Sequence, residues 1–169
     1  KECIKYFKGE NARAYLNSLH SLGLCHNRIG NYGVSTEINE KGIAEGKRLA
    51  NDQVEPYFVH SEGINQYFKN NYALALQKLK HSLPTIRKNK DFANESVGYF
   101  YIGKSYWDLK KPEMALPYFL KVDQIFEDKG YIRPDLRENY ELLINYHKTE
   151  KNPEAQLNYI GKLLKADST

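Results

Sequence analysis

The side chains that could perform catalysis or bind a metal ion are scattered along this sequence. Two histidines at positions i and i+4 would place two imidazoles on one helix face, but the five histidines contain no such pair. They are His20, His26, His60, His81 and His147. HExxH segments, nucleophile elbows and paired-cysteine metal motifs are likewise missing from the sequence. We therefore expect a non-enzymatic chain with no catalytic residue, metal site or cofactor.

Two short features are weakly similar to reactive sites. In the segment Gly42–Arg48 three residues separate the glycines, where a phosphate-binding loop has four, and the lysine is not followed by Ser or Thr. The segment also falls within a predicted helix, so we do not interpret it as a nucleotide site. Cys3 and Cys25 lie far apart and form no CxxC motif, which favours buried free thiols.

The charge pattern argues against nucleic acid as a direct partner of this segment. A basic cluster begins at Lys78, but cations near a helix C-terminus also complement the helix dipole. The net charge of +4 is spread over a chain with 21 acidic residues, and only six of its 25 basic residues are Arg. No uncharged apolar run approaches the ~20 residues of a membrane helix, so no membrane span is expected.

An internal repeat of about 40 residues reveals the elements that position these side chains. Two columns of the repeat hold mostly small residues, and a polar or proline-containing dipeptide lies between them in every row. The first column holds Gly23, Gly63, Gly103 and Leu143, and the second holds Ser35, Ala75, Ala115 and Ala155. The flanking apolar positions are spaced three and four apart, which is the helical period.

The small residues have a physical reason in helix packing. A small residue that faces a partner helix allows the two backbones to approach closely, and larger residues one turn away fill the remaining space. Each repeat is therefore predicted to be a helix, a short turn and a second, antiparallel helix.

This pattern resembles the tetratricopeptide repeat (TPR), which has a small residue in its first helix, an aromatic three residues later and an alanine after twelve. The segment Tyr99–Tyr106, followed by Ala115 and Phe119, matches best. The resemblance implies an all-α fold, a right-handed TPR-like superhelix (α-α solenoid) of about four antiparallel helix pairs. We predict one repeat domain over residues 1–169. Its repeats lie near 16–55, 56–95, 96–135 and 136–169, with residues 1–9 as the end of a preceding helix.

The sequence departs from the family pattern in several places. Glu62 and Gln66 occupy columns that are usually apolar, and Asn39 replaces an aromatic residue. Pro84 and Pro117 fall inside predicted second helices, where each removes a backbone hydrogen bond, so we expect a kink or an early end there. A slip of one residue in the last repeat fits that repeat almost as well.

The family register also predicts which side chains line the concave groove. The first helices would contribute an aromatic surface with few charges, suited to an extended peptide or a partner helix. Its residues are Asn17, His20, Asn27, Tyr57, His60, Tyr67, Phe100, Lys104, Trp107, Tyr140 and His147. The other interpretation of these rings is ordinary packing between repeats.

The last stretch, from Glu138 to Ser168, is similar to the final repeat in TPR sensor regions of bacterial helix-turn-helix transcriptional regulators. In those proteins a membrane segment and a helix-turn-helix follow the sensor. We predict a protein- or peptide-binding module of such a regulator or of a signalling protein. The alternative is a structural scaffold, oligomerisation array or assembly factor with no ligand in the groove, which its own flanking helices fill. Self-association is a further partner prediction. Localisation stays open between the cytoplasm and the extramembrane part of a membrane-anchored bacterial protein.

Overall fold

A computed structural model of the chain describes residues 10–168, and over this range the regular structure is entirely helical. Eight α-helices pack in adjacent pairs, and a short 3-10 turn, Pro134–Leu136, precedes the seventh. The helices are α1 (Glu10–Arg28), α2 (Tyr32–Arg48), α3 (Glu55–Phe68), α4 (Tyr72–Lys88), α5 (Phe92–Asp108), α6 (Pro112–Lys129), α7 (Glu138–Thr149) and α8 (Pro153–Asp167). The predicted all-α class is confirmed. The helix end predicted for residues 1–9 lies outside the described residues.

The turns between helices recur with half the period of the sequence repeat. A residue in the left-handed region stands at every twentieth position from Gly30 to Gly130, and the last one, Lys151, comes one position late. These residues are Gly30, Ala50, Asn70, Lys90, Lys110, Gly130 and Lys151. Although this turn is late, Tyr159 meets Tyr140 at the same centroid distance, 6.3 Å, as Phe119 meets Phe100, so α8 keeps the register of the other second helices.

Hydrogen bonds explain why the backbone turns left-handed at these positions. After α1 the N–H of Asn31 donates to the carbonyl of His26 at 2.8 Å, and after α3 the N–H of Asn71 donates to the carbonyl of Gln66 at 2.8 Å. This six-to-one bond closes a helix C-terminus only when the intervening residue is left-handed. Each of these two turns ends one helix and reverses the chain within three residues, whereas longer segments connect α2 to α3 and α6 to α7.

The first small-residue column marks the closest approach of the helices within a pair. A Cβ on Gly63 would lie 2.7 Å from Cγ of Leu79, and one on Gly103 would lie 2.5 Å from Cε1 of Phe119. In the first pair, the Ser35 hydroxyl donates to the carbonyl of Gly23 at 2.8 Å. The packing role predicted for these columns is therefore confirmed at the level of individual contacts.

The chain divides into two compact units, Lys1–Ile86 and Arg87–Thr169. The first unit contains α1 to α4, with a core built on Leu16, Leu19 and Phe58. The second contains α5 to α8, and Phe119 and Leu143 are among its buried side chains. The four helix pairs of the repeat are thus divided between two compact units, with two pairs in each.

The two internal prolines do not end their helices, contrary to the expected early termination. α4 continues through Pro84 to Lys88, and α6 continues through Pro117 to Lys129. Both prolines are exposed. Pro117 lies inside α6, beyond its first turn, so it removes one intrahelical hydrogen bond without ending the helix.

Candidate functional site

The predicted binding residues of the first unit lie on α1 and α3, which contact each other. The imidazole of His20 meets the ring of Tyr57 edge-on, with centroids 6.0 Å apart and planes at 79°. It meets the ring of Phe58 in the same way at 5.6 Å. Asn17 is exposed, and His20 and Tyr57 are partly exposed. We call Asn17, His20, Asn27, Tyr57 and Tyr67 the α1–α3 face.

Asn65 fixes the spacing of the helices beneath the α1–α3 face. Its side-chain oxygen accepts a hydrogen bond from the amide of Asn27 on α1 at 2.7 Å. Its own amide donates to the Ser35 hydroxyl on α2 at 2.8 Å and to Glu62 on α3 at 2.9 Å. One buried side chain therefore ties three helices together, which holds the rings of this face in a fixed arrangement.

The Glu62 carboxylate is the centre of this buried polar network. Its side chain is 7% exposed, and it accepts hydrogen bonds from Thr36 at 2.9 Å, Asn39 at 3.1 Å, Asn65 at 2.9 Å and Gln66 at 2.7 Å. Burial raises the pKa of Glu62, but these four hydrogen bonds together hold the pKa below its usual value. The carboxylate is therefore ionised at neutral pH inside the first unit.

Tyr67 belongs to an aromatic cluster near the C-terminus of α3. Its ring lies edge-on to Phe68 at 5.2 Å and tilted to Tyr72 at 5.6 Å. Phe68 in turn stacks on Tyr32 with centroids 5.3 Å apart and planes at 3°. These contacts hold Tyr67 in place while part of its side chain stays accessible to solvent.

The predicted binding residues of the second unit lie on α5 and α7. The Lys104 ammonium forms an ion pair with Glu138 at 2.5 Å, which joins these two helices. Trp107 packs with its ring tilted against Phe119 at 6.0 Å, and His147 stacks on Tyr159 at 5.5 Å with planes at 14°. Lys104, Trp107 and His147 are partly exposed, and we call them the α5–α7 face.

Three predicted groove residues have buried side chains instead of exposed ones. His60 and Phe100 are each 2% exposed and Tyr140 is fully buried. They share one column of the repeat with His20, which is partly exposed at the start of the array. The structure thus gives the side chains of His60, Phe100 and Tyr140 a packing position. Their predicted ligand contacts have no accessible surface to support them.

A second buried network, centred on Asp123, joins α6, α7 and α8. The Tyr140 hydroxyl donates to Asp123 at 2.8 Å, and the Lys162 ammonium donates to both of its oxygens at 2.9 and 2.8 Å. Burial and the Asp123 carboxylate raise the pKa of Tyr140. Burial lowers the pKa of Lys162, but the bonds to Asp123 and Glu127 raise it by more. The pKa of Lys162 therefore lies above its usual value. Both donors therefore keep their protons.

Two features of the described residues concern metal and small-molecule binding. Within residues 10–168, no group of three or more His, Cys, Asp and Glu side chains could hold a metal ion. A cleft of about 60 Å³, lined by Phe92, Ile125 and Ile132 among others, is far smaller than the ~300 Å³ of an ordinary small-molecule pocket. The expectation of no active site stays a prediction.

The two local features singled out in the sequence also have structural explanations. Gly42 lies inside α2, where a Cβ would fall 2.3 Å from the Phe58 ring, so this glycine permits helix packing. Cys25 is exposed, so the expected buried thiol is wrong for this residue, and Cys3 lies outside the described residues. Each helix in the described part of the chain is too short or too polar to cross a membrane.

No protein-family model matches this sequence, and no curated protein is significantly similar to it.

The sequence contained a signal for the Glu62 network but none for the Asp123 network. Glu62, Gln66 and Asn39 stood out as polar residues in columns that are normally apolar. The structure shows that these departures compensate one another, because all three side chains join in one set of hydrogen bonds. Asp123 gave no such signal, since a single carboxylate on a helix is normally solvated.

Proposed function

We propose that this chain is a non-enzymatic, TPR-like module that binds a protein segment or an extended peptide. We further propose that its pairs belong to a right-handed superhelix. In this proposal the module is the sensory or interaction region of a bacterial transcriptional regulator or signalling protein. Ligand binding biases an attached output domain by favouring one arrangement of the repeats.

One column of the 40-residue repeat carries the proposal. Its four members lie near the C-termini of the first helices, and every one of them is partly exposed. They are Asn27 and Tyr67 in the first unit and Trp107 and His147 in the second, and we call them the recognition column. The column of His20, His60, Phe100 and Tyr140, about two turns earlier, is mostly buried. Binding is therefore assigned to the later part of each first helix.

The chemistry of the recognition column suits a peptide ligand. Tyr and Trp rings contribute a large contact area with few rotatable bonds, and their polar atoms can pair with a peptide backbone. Asn27 and His147 add amide and imidazole groups that donate and accept hydrogen bonds. Since Trp107 packs against Phe119 and His147 against Tyr159, the two members in the second unit are held in place before the ligand arrives.

Selection from a random peptide display library tests this proposal. Peptides are selected on the whole chain and then retested on a Tyr67→Ala/Trp107→Ala double variant. The matched control, His81→Ala/Leu120→Ala, removes two exposed side chains from the outward faces of α4 and α6. We expect the control to retain the selected peptides and the double variant to lose them. Equal retention by both variants, or no enrichment on the wild-type chain, contradicts the proposal.

A further inference from the structure

The outward face of α8 differs from the outward faces of the other second helices. At four equivalent positions of the repeat, every residue of α2, α4, α6 and α8 is exposed. Most of these residues are polar in the first three helices. They are Glu37, Glu40, Lys41 and Ala44 in α2, Gln77, Lys80, His81 and Pro84 in α4, and Pro117, Leu120, Lys121 and Gln124 in α6. In α8 the same positions hold Leu157, Ile160, Gly161 and Leu164, which we call the α8 stripe.

The α8 stripe is open to solvent along about two helical turns. Leu157 is 69% exposed, Leu164 is 65% exposed and Ile160 is 38% exposed. At 3.6 residues per turn, these side chains point away from the side of α8 that carries the buried Tyr159. A single exposed leucine needs no explanation, but a continuous apolar stripe marks an interaction surface.

Gly161 supports the same interpretation. A Cβ at this position would meet nothing within 4 Å, so no contact inside the chain requires a glycine here. A glycine inside a helix costs about 0.5–1 kcal/mol relative to alanine. At the centre of an exposed apolar face, it allows the backbone of another helix to approach closely, as Gly63 and Gly103 do within the chain.

We propose that the α8 stripe is a self-association surface on which α8 of a second copy packs antiparallel. A two-fold axis near Gly161 brings Leu157 of each copy beside Leu164 of the other, since both lie a similar distance from Gly161 along the helix. The two Ile160 side chains then meet next to the axis. The contact is isologous and closes as a dimer.

The charges beside the stripe favour this antiparallel arrangement. Glu154 and Lys165 lie on the same flank of α8, on opposite sides of Gly161 along the helix, and both are exposed. An antiparallel pair places Glu154 of each copy near Lys165 of the other, whereas a parallel pair leaves these residues on opposite sides of the interface, where they cannot pair. The Lys165 ammonium lies 6.0 Å from the Phe126 ring centroid, the outer limit of a cation–π contact, so it can turn towards a second copy.

The expected dimer is weak and reversible. One pair of short helices lies at the low end of specific interfaces, below about 1,200 Å² of total buried area. We expect a dissociation constant on the order of 10–100 µM, the range of a modest and transient contact.

Sedimentation equilibrium of the whole 169-residue chain, from about 5 to 500 µM, tests the inference. We expect wild-type protein to pass from monomer to dimer, and Leu157→Glu/Leu164→Glu to raise the dissociation constant at least about tenfold. Leu120→Glu is the control because it adds a charge on the outward face of α6, at the position equivalent to Ile160. It should leave the dissociation constant unchanged. Circular dichroism checks that each variant keeps its helix content, which the exposure of these leucines predicts.

A charge exchange tests the antiparallel geometry itself. Glu154→Lys alone and Lys165→Glu alone should each weaken the dimer, and the two together should restore it. A wild-type chain that stays monomeric over the whole concentration range overturns the inference. The partner of the α8 stripe would then be a different protein or another segment of a longer chain. A dimer that the Leu157 and Leu164 substitutions do not weaken overturns it equally.

Discussion

A Cβ on Gly103 would lie 2.5 Å from Cε1 and 2.8 Å from Cδ1 of Phe119, closer than real Cβ contacts come. The partner lies 16 positions after the glycine, and the same spacing relates Gly63 to Leu79. The 40-residue repeat therefore preserves a specific contact between the two helices of a pair, as well as a pattern of residue types.

Gly103→Ala should destabilise the second unit because the Phe119 ring has to move. Overpacking of this kind costs about 1–3 kcal/mol, against a gain in helix propensity of roughly 1 kcal/mol. Urea unfolding monitored by the chain's one tryptophan, Trp107, measures the change close to the site. Gly33→Ala is the control, since a Cβ there meets nothing within 4 Å and should be neutral or stabilising.

Ala50→Gly should stabilise the chain. Ala50 has a φ of 51°, and a left-handed backbone costs a residue with a Cβ about 1–2 kcal/mol that glycine does not pay. Part of this gain is lost to the greater freedom of glycine in the unfolded chain, so we expect a net gain of about 0.5–1 kcal/mol. The same substitution at Ala44, inside α2, should instead cost about 0.5–1 kcal/mol. Thermal unfolding of the two variants should therefore shift in opposite directions.

Glu62→Gln should destabilise the first unit by about 1–3 kcal/mol at neutral pH. The variant replaces one acceptor oxygen by an NH2 group, which is a donor and cannot accept hydrogen bonds from the buried amides around it. The folded-state pKa of Glu62 is lowered, so its ionised form stabilises the fold above the ordinary value of 4.5, and this contribution is lost as the pH falls through the folded-state pKa. The gap in stability between wild type and variant should therefore shrink below about pH 4.5. Urea unfolding of both proteins, monitored by circular dichroism from pH 7 to pH 3, measures this gap in stability. Glu40→Gln, at an exposed position, should change stability at pH 7 by less than about 0.5 kcal/mol.

Tyr140→Phe should cost about 1.5–3 kcal/mol, the usual range for a hydrogen bond to a charged group. The variant keeps the buried ring and removes only the hydroxyl that donates to Asp123 at 2.8 Å. Trp107 fluorescence during urea unfolding provides the measurement. Tyr131→Phe, at a side chain 60% exposed, should change stability by less than about 0.5 kcal/mol. Equal costs for both variants would contradict a specific role for the buried hydroxyl.

The helix pairs and their close contacts could be predicted because small residues recur in fixed columns. The left-handed turns at Ala50, Lys90 and Lys110 could not, since neither Ala nor Lys signals a positive φ by residue type. A hydrogen-bonding pattern imposes that conformation only after the helices form.

The sequence predicted on which side of each helix the candidate site residues lie, but it did not predict how far their side chains are exposed to solvent. His60 and Tyr67 both lie on the predicted inner side of α3, yet His60 is buried and Tyr67 is partly exposed. Helical periodicity determines on which side of its own helix a residue lies. How much of that side the neighbouring helices cover depends on their packing.

Titration of a library-selected peptide against the intrinsic fluorescence of Trp107 tests the central claim most directly, because the chain has no other tryptophan. The account predicts a saturable change in Trp107 emission and at least a tenfold weaker affinity for Tyr67→Ala, which corresponds to about 1.4 kcal/mol. The His81→Ala/Leu120→Ala control should bind like the wild type. A peptide that binds without changing Trp107 emission, and with an affinity that Tyr67→Ala leaves unchanged, would contradict the assignment of ligand binding to the recognition column.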